Sequence, residues 1–90
     1  MVQYFSHMSK TNIETILNNV FKPTFLKVFD DSAKHAGHAQ KGQGGHFTVE
    51  IASAAFDGKK SIDSHRLIYA ALEPIKGSIH ALAIKVIKNA

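Results

Sequence analysis

The chain is predicted to form one small α/β (α+β) domain with elements in the order α-β-β-α-β, giving a three-stranded mixed sheet with helices on one face. Three observations predict this. Residues 13–21 carry an apolar stripe at helical spacing that ends at Lys22-Pro23; residues 46–53 alternate apolar and polar; and a second helical stretch, closed by Pro74, precedes an apolar run at 79–87. With 90 residues there is room for one modest core and no second module.

Thr11 and Glu14 form a T-x-x-E capping-box pattern, which predicts a helix starting near Thr11 and leaves residues 1–9 as a flexible lead before a domain at 10–90. Ile13, Ile16, Leu17, Val20 and Phe21 make one stripe, and proline disfavours helix at the residue before it, so the helix ends at Lys22. Phe25 to Phe29, rich in aromatic and branched residues, reads as a short strand. Asp31 to Gly45 is polar, glycine-rich and without periodicity, a long connection for so small a domain. From His46 to Ser53, Phe47, Val49 and Ile51 share one face and His46, Thr48 and Glu50 the other, as in a half-buried strand. Phe56-Asp57-Gly58 is turn chemistry, and Ser61 is placed to cap a second helix burying Ile62, Leu67, Ile68, Ala71 and Leu72. After Lys76-Gly77, a last strand from Ile79 to Ile87 puts Leu82, Ile84 and Val86 on one face and Ala81 and Ala83 on the other.

Two antiparallel strands followed by a helix and a third strand imply a right-handed parallel crossover between strands two and three. Their starting ends then share one edge of the sheet, and the hairpin loop runs into the same edge. His35 and His38 in the loop, His46, and His80 are thereby expected at one end of the molecule.

The composition narrows the chemistry. Eleven Lys/Arg against seven Asp/Glu give a charge of +4, but the basic residues are scattered along the chain, as on an ordinary solvated surface. There is no cysteine, which excludes disulfides, a redox CxxC, a thiolate nucleophile and any thiolate metal site made by this chain alone. No apolar run approaches the roughly 18–20 residues of a membrane span. Nothing from Met1 to Ser9 reads as an intact secretory or organellar signal. Six histidines are the conspicuous excess.

Phe56-Asp57-Gly58 with His65-Arg66-Leu67-Ile68-Tyr69-Ala70-Ala71-Leu72, then Ile79-His80-Ala81-Leu82, resembles the F-x-G … H-R-L-V-Y-x-x-L … I-H-A-L signature of BolA-like proteins. Asp31-Ser32, His35-Ala36-Gly37-His38 and Gly45-His46-Phe47 resemble that family's loop and second strand, and the likeness spans roughly residues 12–87. It implies a class II KH-like sandwich that binds a monothiol glutaredoxin as a heterodimer, the chain alone being a monomer. The resemblance further implies a bridging 2Fe-2S cluster shared with the glutaredoxin and glutathione and not bound by the isolated chain, in cluster trafficking or iron regulation. By position, His80 would be one ligand and His35 the other, with His38 as the alternative. Arg66, Ala81 and Leu82 would face the partner. Ser64 departs from the pattern where an arginine is usual, and the chain ends at Ala90 without the Trp-containing segment of many relatives. The implied location is mitochondrial or cytoplasmic, not secreted, with no membrane partner.

The chemistry agrees with a shared site. Imidazole is a known ligand to one iron of a two-iron cluster. Two histidines leave a cluster two ligands short, and a chain without cysteine must find those thiolates elsewhere. The ordinary readings stand beside this. His80 at a strand start is by spacing alone a surface residue, His35 and His38 are solvated loop residues, His46 a polar rim residue, and His65 a packed residue of the second helix. His7 in the lead carries no signal.

No Ser/His/Asp set, HExxH or phosphate-binding loop is present, so the chain is not expected to be an enzyme. The alternative function is a nucleic-acid-binding transcriptional regulator on the KH-like fold. Gly42-Gln43-Gly44-Gly45 fits the G-x-x-G clamp of KH domains but lies in a hairpin loop, and no exposed base-stacking aromatic pair is evident. A standalone zinc or copper site from His35, His38 and His80 doing hydrolysis lacks a general base.

Overall fold

The computed structural model describes residues 6–31 and 45–88, with side chains from residue 10 onward. Helix α1 (Ser6–Phe21) leads into strand β1 (Phe25–Asp30); β2 (Gly45–Ala52) is followed by a 3-10 turn (Ala54–Phe56), helix α2 (Ser61–Ala71), a 3-10 segment (Glu73–Ser78) and strand β3 (Ile79–Val86). The sheet order is β1-β2-β3, with β1 antiparallel and β3 parallel to the central β2. This is the predicted small α+β domain with a mixed three-stranded sheet.

β2 decides the packing because both of its edges are paired. Its alternation sends Phe47, Val49 and Ile51 into the core at 2%, 0% and 0% exposure and leaves His46, Thr48 and Glu50 half-buried on the opposite face. The register sets Val28 beside Val49 and Leu26 beside Ile51 on one side, and Leu82, Ile84 and Val86 beside Phe47, Val49 and Ile51 on the other. Ile13, Leu17 and Phe21 of α1 and Ile68 with Leu72 at the end of α2 close over this face. The opposite face carries Phe25, Lys27 and Phe29, then His46, Thr48 and Glu50, then Ala81, Ala83 and Lys85.

Several local expectations change. α1 begins at Ser6, not Thr11, so the T-x-x-E sequence lies inside the helix and His7 is helical. Glu14 instead pairs with Lys10 at 3.2 Å across one turn. Val20 is 54% exposed, whereas Ile16 one turn earlier is half-buried against the core. α1 does stop before Pro23, with Lys22 in the left-handed region (φ 46°) and its N–H donating to the Asn18 carbonyl at 3.1 Å, a geometry usually given to glycine.

In α2, Lys60 holds the N-cap position without a side-chain bond, so Ser61 is the first helical residue and not the cap. Ile62 and Leu67, expected inside, are 55% and 39% exposed, while Ser64 is buried. The buried stripe runs through Ser64, Ile68 and Leu72, at i, i+4 and i+8; the two misplaced residues flank it. Phe56 to Lys59 forms a type II turn, with Asp57 at φ −61°, ψ 133°, Gly58 at φ 74°, and the Lys59 N–H donating to the Phe56 carbonyl at 3.1 Å. That positive φ is the reason for glycine at 58.

Ser53 ties the layers together at one end. Its hydroxyl donates to the Phe21 carbonyl at the end of α1 at 2.6 Å and accepts from the Ala55 N–H at 3.1 Å, while the Phe21 and Phe56 rings meet at 4.9 Å. No helix among the described residues is long and apolar enough to cross a membrane.

Two predictions rest on this packing. Ile68→Ala is expected to lower unfolding stability by about 2–5 kcal/mol, whereas Ile62→Ala shifts it by less than about 0.5 kcal/mol, measured by urea titration. Ser53→Ala strands a buried carbonyl and an N–H together and is expected to cost about 1–3 kcal/mol in the same assay; an effect near zero would show that the tie between α1 and the sheet is not made in solution.

Candidate functional site

The parallel pairing of β2 and β3 sets their first residues side by side. Gly45 pairs with Ile79, and the next pair is His46 with Ala81, so His80 is the extra residue of a bulge in β3. A bulge re-aims the side chain it carries. His80 is exposed, and its ring lies 5.0 Å from the ring of His46, with the planes at 52°. The end of the hairpin loop, entering β2 at Gly45, arrives at the same place.

His46 is anchored by backbone bonds. The Asp31 N–H donates to the His46 carbonyl at 2.7 Å, closing the β1–β2 ladder, and the Thr48 hydroxyl donates to Asp31 Oδ2 at 2.6 Å on the face that His46 shares. At the far end of β3 the Ile87 N–H donates to the Ile51 carbonyl at 2.8 Å. Backbone groups alternate in direction along a strand, so those of residue 82 point away from β2, toward the outer edge of the sheet. There the Tyr69 hydroxyl, from α2, donates to the Leu82 carbonyl at 3.3 Å.

Beside His80 lies a cleft of about 310 Å³ lined by Tyr69, Leu72, Glu73, Lys76, Ile79 and Leu82. Lys76 Nζ donates to Glu73 at 2.7 Å, and that bond, with the charge attraction behind it, raises the Lys76 ammonium pKa above its ordinary value. Both side chains are well exposed, so the pair is a weak clasp in energetic terms.

Of the residues singled out in the sequence, His80, Ala81 and Arg66 are exposed, the first two adjacent on β3 and the third on α2. Leu82 is half-buried, packing against the core, and offers its carbonyl to Tyr69 at the outer edge. His35 and His38 lie outside the described residues, as do Gly42 to Gly44 of the G-x-x-G sequence. His65 is half-buried in α2. His46, read as a rim residue, is brought against His80. The signal for that contact was the expected convergence of the strand starts. The signal for Tyr69 was its place three residues after the exposed Arg66, on the outer side of α2, but only the strand register shows which carbonyl it meets. Among the described residues, no group of three or more His, Cys, Asp or Glu side chains is placed to hold a metal ion. The His46–His80 pair supplies two nitrogens and no thiolate.

The chain is similar to several known proteins. The chain is 37% identical over 78 residues to the DNA-binding transcriptional regulator BolA of Escherichia coli, covering 86% of this chain and 72% of that protein. It is 38% identical over 78 residues to Protein BOLA2 of Arabidopsis thaliana, covering 87% and 75%. Among solved structures, the BolA domain of SufE1 from Arabidopsis thaliana superposes with a TM-score of 0.76 at 37% identity, over 96% of this chain and 95% of that one. The profile of the BolA-like protein family matches residues 17–90, and the chain belongs to that family.

Proposed function

We propose that this chain is an adaptor that docks on a monothiol glutaredoxin and helps to hold a bridging 2Fe-2S cluster, in cluster assembly, trafficking or iron regulation. The observation that carries the reading is His80, an exposed imidazole on a bulge at the edge where the hairpin loop returns to the sheet. A cluster ligand has to reach beyond its own chain when the other ligands come from a partner. His80 supplies one nitrogen, and His35, or alternatively His38, supplies the second from the loop. The glutaredoxin cysteine and glutathione contribute the two thiolates that a chain with no cysteine lacks. In this reading Arg66 and Ala81, exposed on α2 and β3, and the Leu82 edge face the partner. The protein has no catalytic role of its own and works in the mitochondrion or cytoplasm.

A second reading, DNA binding as a transcriptional regulator, is favoured by the name of the Escherichia coli relative and by the net charge of +4. Against it, the described lysines are dispersed: Lys27 lies over the Phe29 ring at 5.2 Å, Lys10 is paired with Glu14 and Lys76 with Glu73.

The test mixes the chain with a monothiol glutaredoxin, glutathione, iron and sulfide without oxygen and follows visible absorption, circular dichroism and sizing. The expected result is a heterodimer whose spectrum differs from that of the glutaredoxin homodimer, altered by His80→Ala and by either His35→Ala or His38→Ala. An unchanged homodimer spectrum with no heterodimer on sizing would overturn the adaptor reading. Fluorescence anisotropy with duplex DNA is the companion measurement, since genuine DNA binding weakens steeply with added salt.

A further inference from the structure

We infer that His46 and His80 form a two-histidine chelate for a single divalent transition ion of the zinc class on the isolated chain, without any partner. The ring separation matches that of two imidazoles sharing one ion. Zinc–nitrogen bonds of about 2.0–2.1 Å put each ring centroid about 3.2 Å from the metal, and two such rings at a tetrahedral angle have centroids about 5 Å apart. The His46 and His80 centroids are 5.0 Å apart. Their planes meet at 52°, so the rings are not stacked face to face.

The backbone sets the two residues side by side before any ion arrives. His46 sits in a ladder bonded on both sides, and His80 is the extra residue of the bulge beside it. Little further ordering is then needed to bring the two donors together, which favours chelation over two independent weak contacts. His80 is exposed and His46 half-buried, so an ion reaches the pair from solvent. Imidazole donors select zinc, copper or nickel over magnesium and calcium, which prefer oxygen. With two protein nitrogens, the remaining positions of a tetrahedral ion are left to water or to small external ligands. This is chemistry of the free chain and does not depend on a glutaredoxin or a cluster.

The probe is Zn²⁺ titrated into the whole chain, read by calorimetry and by the histidine ring-proton resonances, with Mg²⁺ as the oxygen-preferring control. Saturable binding of Zn²⁺ is expected to shift the rings of His46 and His80 together, while Mg²⁺ shifts neither. His46→Ala and His80→Ala are each expected to weaken Zn²⁺ binding at least tenfold. His65→Ala, on α2, is expected to change it by less than about twofold.

If His46→Ala binds zinc as the wild type does, or if His65→Ala weakens binding as much as His80→Ala, the pair is a packing contact only and the inference fails. If His46→Ala does not fold, the exposed His80→Ala and the ring shifts in the unmodified chain still decide. Because no partner is present, a negative result here leaves the heterodimer experiment unaffected, and the converse also holds.

Discussion

Every feature of this fold that bears on function follows from the double pairing of β2. A strand that is hydrogen-bonded along both edges cannot slip by one residue without turning Phe47, Val49 and Ile51 out of the core and His46, Thr48 and Glu50 into it. The cost of such a slip is several buried side chains at about 1.5–3 kcal/mol each, so one register is overwhelmingly preferred. Because β1 runs antiparallel and β3 parallel to this strand, its starting end receives the hairpin loop from one neighbour and the first residues of β3 from the other. The meeting of His46 and His80 is therefore a consequence of core packing, and no dedicated bond between the two rings is needed to bring it about.

The bulge adds what regular pairing would not. In an unbroken ladder each residue of β3 would keep one face, and the residue after Ile79 would take its place in the alternation. One extra residue lets Ile79 and Leu82 both lean on the core while His80 stays exposed between them. The edge beyond is closed differently. There the Tyr69 hydroxyl takes the outward Leu82 carbonyl, joining α2 to β3 and occupying one acceptor of an otherwise open strand edge. The same short stretch, Ile79 to Leu82, thus meets the core, the solvent and the second helix.

What the sequence made legible was periodicity and order. The alternation in β2 admits one reading, and a strand, a helix and a further strand in one small domain leave few topologies. The likeness to a known family added the second helix and the Ile-His-Ala-Leu strand as landmarks. Less legible were the boundaries and the faces of the helices. Thr11 and Glu14 carry the residues of a capping box, but such a pattern is compatible with a helix start without fixing one; the helical turn from Ser6 to Lys10 precedes it. Ile62 and Leu67 match the apolar composition of a buried face, yet a three-stranded sheet gives each helix only a narrow strip to cover. Ile68 and Leu72 fill that strip, with the small Ser64 accommodated at its start. Lys22 in a left-handed conformation was out of reach as well, since the tendency of a residue before proline toward extended backbone pointed elsewhere.

The donor set bears on both of the metal chemistries proposed for this chain. Two imidazole nitrogens are enough to hold a labile divalent ion whose other ligands are water, and too few for an iron–sulfur cluster, whose irons require thiolates that this cysteine-free sequence lacks. Under the two proposals, occupancy of the pair by a single ion and participation of His80 in a shared cluster would be mutually exclusive uses of one side chain. The choice between them would fall to whatever brings thiolates to the edge of the sheet. An imidazole on a bulge, exposed at the end of a paired strand, would suit such an exchange: it is positioned by the core, so a partner could complete its coordination sphere without unfolding any part of the domain.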